Sequence, residues 1–241
     1  MPLYERDIRA DIEMLSELLD QILTEQTSTD AAEIVEEIRL AAIEHRQEGT
    51  ETYDDIGTQI DSLSPGMKRI VAQSFTTYFE LINLTEERAR VRHIRTREQD
   101  GTLEDSLAEV VRDFHERGVD GEMIAALLDD ILIQPTFTAH PTEARRKTIK
   151  TKLRSIAADL RELDEVRLTD YESASVERDI ESEVTSLWQT PHIRDRRPEV
   201  TDETLNVQWY FENVLFDVLP DVYDRLERAL EETYGPDVDV P

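Results

Sequence analysis

The chain has 241 residues, with 55 Asp or Glu against 27 Lys or Arg and a formal net charge of -28. That length suits one large domain or two small ones, and that charge excludes a surface built for nucleic acid or for an anionic membrane. No apolar run reaches the roughly 18 residues of a transmembrane span, and Met1–Asp7 lacks the basic and apolar regions of a signal peptide. With no cysteine there are no disulfides, thiolate nucleophiles or Cys-ligated metals, so a cytoplasmic protein is expected.

Lys68, Lys147, Lys150 and Lys152 are the only lysines; the other basic residues are all Arg. So large an acid excess repels itself unless salt screens it, and at molar salt the Debye length falls to about 3 Å. A Lys-poor, acid-rich chain with periodic apolar residues therefore suits the cytoplasm of a salt-accumulating halophile.

Helical periodicity dominates in chain order. Ile8, Ile12, Leu15, Leu18, Leu19 and Ile22 form one stripe over Tyr4–Leu23. Ile34, Val35, Ile38, Ala41 and Ala42 form another over Thr29–His45. A loop is expected around Gly49–Gly57. Ser64-Pro65-Gly66 then reads as an N-cap with proline at the first helical position, opening a helix from Pro65 to about Arg97. Its inward residues are expected to be Ile70, Val71, Phe75, Tyr78, Phe79 and Ile82, with the charged half from Glu86 to Arg97 more exposed. Thr102 is expected to cap a helix ended by Gly118, and a short helix covers Gly121–Asp130.

Ile131–Ala139 is the one strand signal, a short apolar and β-branched run. A lone strand needs partners for its backbone groups, so the chain reads as part of something larger. Helices follow over Pro141–Val166, Tyr171–Thr190 and Thr204–Thr233, the last with a break at Pro220. No glycine falls between residues 122 and 234, which excludes a phosphate-binding glycine fingerprint beside the strand.

Of five histidines, His45, His93 and His115 sit in helical patterns beside Arg and Glu, and His192 lies by a Pro-flanked turn; all four read as structural. His140 differs, because it stands between strand and helix in Thr138-Ala139-His140-Pro141-Thr142-Glu143. With His140 as N-cap, Pro141 falls at N1 and Glu143 at N3, the pattern of a capping box. A helix N-terminus disfavours imidazolium, so the ring reads either as a neutral base or as a buried structural histidine. Arg145, Arg146 and Lys147 follow within two turns, against the helix dipole. That placement suggests an anion nearby, or internal ion pairs.

Three segments carry a resemblance: Phe137-Thr138-Ala139-His140-Pro141-Thr142-Glu143; Leu187-Trp188-Gln189-Thr190 with Ile193-Arg194 and Arg197-Pro198; and Ser74-Phe75 with Tyr78-Phe79 and Leu81-Ile82-Asn83-Leu84. Together and in this order they resemble the phosphoenolpyruvate carboxylase family of the bacterial and plant type. The resemblance implies a mainly α enzyme around a (β/α)8 barrel, usually a homotetramer. It implies conversion of phosphoenolpyruvate and bicarbonate to oxaloacetate and phosphate with Mg²⁺ or Mn²⁺. It places on His140 the base that takes the carboxyl proton of carboxyphosphate, and near the substrate Arg145, Arg146 and Lys147. Where the family has Arg-Arg-Thr this chain reads Arg146-Lys147-Thr148, and Lys lacks the planar bidentate contact of Arg.

Family members are several-fold longer, and their metal ligands lie in later elements, so the ligands are expected outside this chain. The expectation is thus the N-terminal helical part of such an enzyme, residues 1–130, followed over 131–241 by the first barrel strand and its helices. Alone it is expected to be inactive. The competing reading is a free-standing helical scaffold that keeps the motif as packing. A metal-dependent hydrolase is disfavoured, because no His/carboxylate ligand cluster is visible.

Overall fold

The computed structural model describes residues 7–48, 53–104, 106–132, 134, 147–165, 167–191 and 199–236. They form ten α-helices: α1 Ile8–Gln26, α2 Thr29–Glu48, α3 Tyr53–Ser62, α4 Pro65–Gln99, α5 Leu107–Glu116, α6 Gly121–Asp129, α7 Lys147–Glu165, α8 Asp170–Trp188, α9 Val200–Tyr210 and α10 Phe216–Tyr234, the last two joined by a π-turn at Phe211–Leu215. No strand occurs among the described residues. Ile131 and Leu132 are exposed and, like Gln134, belong to no regular element. Ile133 and the rest of the expected strand, Pro135–Ala139, lie outside the described residues.

Helix starts follow local capping chemistry. Asp7, Ser106 and Asp120 accept from the backbone N–H three residues on, at 2.9, 3.1 and 2.9 Å. Ser64 does the same for Met67, with Pro65 at N1 as expected. Thr169 and Glu172 form a reciprocal capping box at the start of α8. Three boundaries depart from expectation. Helix α3 begins at Tyr53 and so takes Gly57 inside it, where a loop was expected. The cap of α5 is Ser106 rather than Thr102, because Gly101 takes a φ of 67° and ends the turn that follows α4. Pro220 does not break the last helix. The carbonyl it leaves unpaired belongs to Phe216, on a solvent-exposed stretch where water can serve it. The departure from α geometry comes earlier, at the π-turn, where the Phe216 N–H donates to the Phe211 carbonyl.

The described chain divides into two compact units. One comprises residues 1–93 and 145–194, the other residues 94–144 and 195–241. In the first, α7 and α8 form a tight hairpin, and α1 packs on α2 and α8. Its core joins Leu15, Leu19 and Leu23 of α1 to Ile149, Ile156 and Leu160 of α7 and to Ile180, Val184 and Leu187 of α8. Each such side chain contributes roughly 1.5–3 kcal/mol when fully buried. In the second unit α5 packs on α10, and the buried core among the described residues is Val111, Ile124, Ala229 and Leu230. Gly118, at φ 86°, ends α5 as expected, with the Val119 N–H donating to the Phe114 carbonyl.

Candidate functional site

Of the residues singled out by sequence, His140, Arg145 and Arg146 lie outside the described residues. Lys147 is the first residue of α7, and only its backbone is described. The structure therefore shows how α7, which receives the motif-bearing segment, is anchored. It brings none of these four side chains together.

Helix α7 is fixed along its length by Ile149, Ile156 and Leu160, all fully buried. Near its C-terminal end lies a buried ring of charge. Arg92 donates to Asp11 at 2.6 Å and pairs with Asp164 at 2.7 Å, while Arg88 pairs with each at 3.5 Å. Arg88 also donates to the Ala157 and Leu160 carbonyls, both at 2.9 Å. The ring ties α1, α4 and α7 together and is neutral overall, with two guanidiniums against two carboxylates. Burial lowers the Arg88 pKa from its ordinary value, with Asp11 opposing the shift, Arg92 adding to it and Asp164 opposing it.

Sequence reasoning expected this half of α4 to be exposed and passed over these arginines. The available signal lay on the partner helices. Asp11 falls four residues before Leu15 on the apolar stripe of α1, and Asp164 four after Leu160 on that of α7. An acid on a buried stripe calls for a cation.

The other two motif segments are packing elements. Leu187 and Trp188 are buried at the end of α8. Gln73 of α4 donates to the Trp188 carbonyl, and Gln189 donates to Gln26 at 3.1 Å. That half of the motif thus closes α8 onto α4 and onto the end of α1. Ile193, Arg194, Arg197 and Pro198 lie outside the described residues. On α4, Ser74 and Leu81 are buried as a face, but Phe79 is 57 % exposed rather than inward. It lies a full turn from Phe75, and its ring leans on Phe75 and Tyr78 at 6.2 and 5.8 Å. The helix carries more aromatic surface here than this core accepts.

Among the described residues no group of three or more His, Asp or Glu side chains could hold a metal ion. Asp11 and Asp164 come closest in burial, but arginines neutralise both, and a cation would have to displace them. The described residues do not fit a divalent metal.

The sequence model of phosphoenolpyruvate carboxylase matches residues 8–240. The chain belongs to the phosphoenolpyruvate carboxylase family. Curated relatives agree. The phosphoenolpyruvate carboxylase of Roseiflexus castenholzii is 36 % identical over 234 residues, 94 % of this chain and 24 % of its own length. Those of Rhodothermus marinus and Thermus thermophilus are 30 and 32 % identical, over 97 and 95 % of this chain and 26 % of each relative. The chain thus spans about a quarter of the length of the phosphoenolpyruvate carboxylases it matches. No helix among the described residues is long and apolar enough to cross a membrane.

Proposed function

We propose that this chain is the N-terminal portion of a phosphoenolpyruvate carboxylase, a cytoplasmic carbon–carbon lyase that forms oxaloacetate and phosphate from phosphoenolpyruvate and bicarbonate. The observation that carries the reading is the family match along residues 8–240, set beside relatives roughly four times longer. On this reading residues 1–130 are a helical region, and residues 131–241 supply the first strand of a (β/α)8 barrel and its following helices. The Mg²⁺ or Mn²⁺ ligands lie outside this chain, the whole enzyme is a homotetramer, and the portion alone is inactive. The acid excess supports a halophilic source.

The catalytic proposal rests on His140. Transfer of the phosphoryl group of phosphoenolpyruvate to bicarbonate leaves the enolate of pyruvate and gives carboxyphosphate, whose carboxyl proton a neutral imidazole at a helix N-terminus is suited to take. The C–O bond to phosphate then breaks, CO₂ is released, and it adds to the enolate of pyruvate. Arg145, Arg146 and Lys147 provide positive charge for the anionic substrate. This assignment is tested in a full-length enzyme carrying the segment, with phosphate and oxaloacetate measured separately on a folded His140→Asn variant. Loss of a general base typically costs about 10²–10⁴-fold, so oxaloacetate should nearly vanish while some bicarbonate-dependent phosphate release survives. Near-normal oxaloacetate would end the assignment. Loss of every partial reaction together with stability would make His140 structural.

A further inference from the structure

From Val200 to Tyr234 the second unit ends in what is nearly one long helix, interrupted only by the π-turn at Phe211–Leu215. Apolar residues occur on more than one side of it, and one stripe of them runs its length. In α10 that stripe is Phe216, Leu219, Tyr223, Leu226 and Leu230, spaced by three or four residues. The distal half is covered, with Leu230 fully buried and Leu226 packed against the small core. The proximal half is bare: Phe216, Leu219 and Tyr223 are 73, 46 and 53 % exposed. The same side continues into α9 as Val200, Val207 and Phe211, which with Thr204 and Gln208 line a shallow groove whose volume is about 510 Å³.

The π-turn gives this continuity a physical basis. An α-helix turns once in about 3.6 residues, and from Val200 to Leu230 the apolar positions lag behind that period by about one residue. A π-turn accommodates one residue more than the α spacing. Placed at Phe211–Leu215, it returns the α10 stripe to the side presented by α9. Without it the bare half and the groove would face different directions.

We infer that this stripe, Val200 to Tyr223, is the docking surface for the remaining polypeptide of the longer enzyme. The inference rests on the reading of the chain as a portion of phosphoenolpyruvate carboxylase. Relatives carry about three-quarters of their length beyond the matched region, so a large body of chain has to pack somewhere. A second copy of this stretch is a poor occupant. Glu212, Asp217, Asp221 and Asp224 flank the stripe, and each copy bears a net charge of -28. Self-pairing would set acid against acid. The fitting occupant has an apolar ridge bordered by basic or neutral residues, the remainder of the enzyme supplying it.

The test is hydroxyl-radical footprinting of the isolated chain and of the full-length polypeptide carrying it, both in molar KCl. Phe211, Phe216 and Tyr223 should be modified readily in the isolated chain and several-fold more slowly in the long one. Leu226 and Leu230, already covered, should scarcely change. Equal modification of the stripe in both forms would overturn the inference. Protection in the isolated chain that grows with protein concentration would also overturn it, in favour of self-association. A Phe216→Asp/Leu219→Asp variant supplies an independent measurement. It should keep the helicity of the isolated chain, since both residues are exposed, and should expose Phe211 and Tyr223 in the long polypeptide. Retained protection there would count against the surface. Carboxylase assays separate the two readings. A protected stripe in an inactive long chain would sink the proposed reaction alone, and an active enzyme with a bare stripe would sink the docking surface alone.

Discussion

The two units solve the same problem, burying helix faces in a strongly acidic chain, with unequal success. The first joins buried residues of α1, α2, α4, α7 and α8 in one core and includes charge within it as a closed ring of two arginines and two aspartates. Among its described residues the second has four buried apolar residues and leaves Val200, Phe216, Leu132 and Met123 more than half exposed. Core size sets stability, because each ordered residue costs entropy that burial has to offset. Among the described residues the first unit has the larger core, and the contrast can be tested unit by unit. Tryptophan reports on each separately, since Trp188 lies in the first unit and Trp209 in the second.

The hardest blow to that contrast is aimed at the ring. Arg92→Met removes the nearer of the two arginines that reach both Asp11 and Asp164 and takes half of the ring's positive charge from beside buried carboxylates. Breaking a buried ion pair from one side costs about 3–5 kcal/mol. In denaturant, monitored on a Trp209→Phe background, the Trp188 transition should move to much lower concentration. Replacing the ring as a whole by Asp11→Leu, Arg88→Met, Arg92→Met and Asp164→Leu should restore much of the loss, because no buried charge is then left unpaired. An Arg92→Met protein as stable as the parent would mean that the ring contributes nothing and that packing alone sustains this unit.

Leu230→Ala probes the weaker side. Leu230 is fully buried in a core of four, and such a truncation costs about 2–5 kcal/mol, depending on how far the site collapses. On a Trp188→Phe background the Trp209 transition should be lost or strongly advanced. The Trp188 transition, measured in the complementary variant, should stay in place. If both transitions shifted together, the units would unfold as one body and the contrast would fail.

Much of the helical layout was legible in the sequence because it rests on local chemistry. Apolar spacing, the Ser64-Pro65 start and the Gly118 stop each need only a few neighbouring residues. What was hidden depended on distant partners. Arg88 and Arg92 look like surface charge until Asp11 and Asp164 are brought beside them from α1 and α7. Phe79 fits an apolar face by spacing and is nonetheless exposed, because nothing in this core meets it. The Pro220 break failed because an exposed helix can lose one hydrogen bond to water. The motif around His140 could be read for chemistry, but its geometry lies outside the described residues, and its role rests on resemblance.

The smallest expected effect is the response to pH, which separates the units by the pH range in which their groups titrate. In the first unit the Asp20 carboxyl is raised from its ordinary value by partial burial and then by Glu36. Asp159 is raised by partial burial, then by Asp179, Glu183 and Glu162. A raised carboxyl is protonated more readily in the folded state, so its contribution is fully present below the unfolded pKa and is lost as pH rises through the folded one. Glu172 is lowered by its hydrogen bonds to the Thr169 backbone and hydroxyl, so its contribution is present above the unfolded pKa and lost as pH falls through the folded one. The Trp188 melting temperature should therefore climb gently as pH falls toward the ordinary carboxylate range and turn down below it. In the second unit the resolved shift is Tyr234, raised by burial and then by Asp120, so its contribution is lost only as pH rises past the ordinary tyrosine value. Molar KCl screens the like-charge part of the Asp159 shift and leaves the burial part. The climb should thus be steeper at low salt and flatter in Asp159→Asn. A Trp188 melting temperature that only falls as pH approaches the ordinary carboxylate range from above, or an Asp159→Asn protein with an unchanged slope, would show that these carboxylates do not control the acid response of this unit.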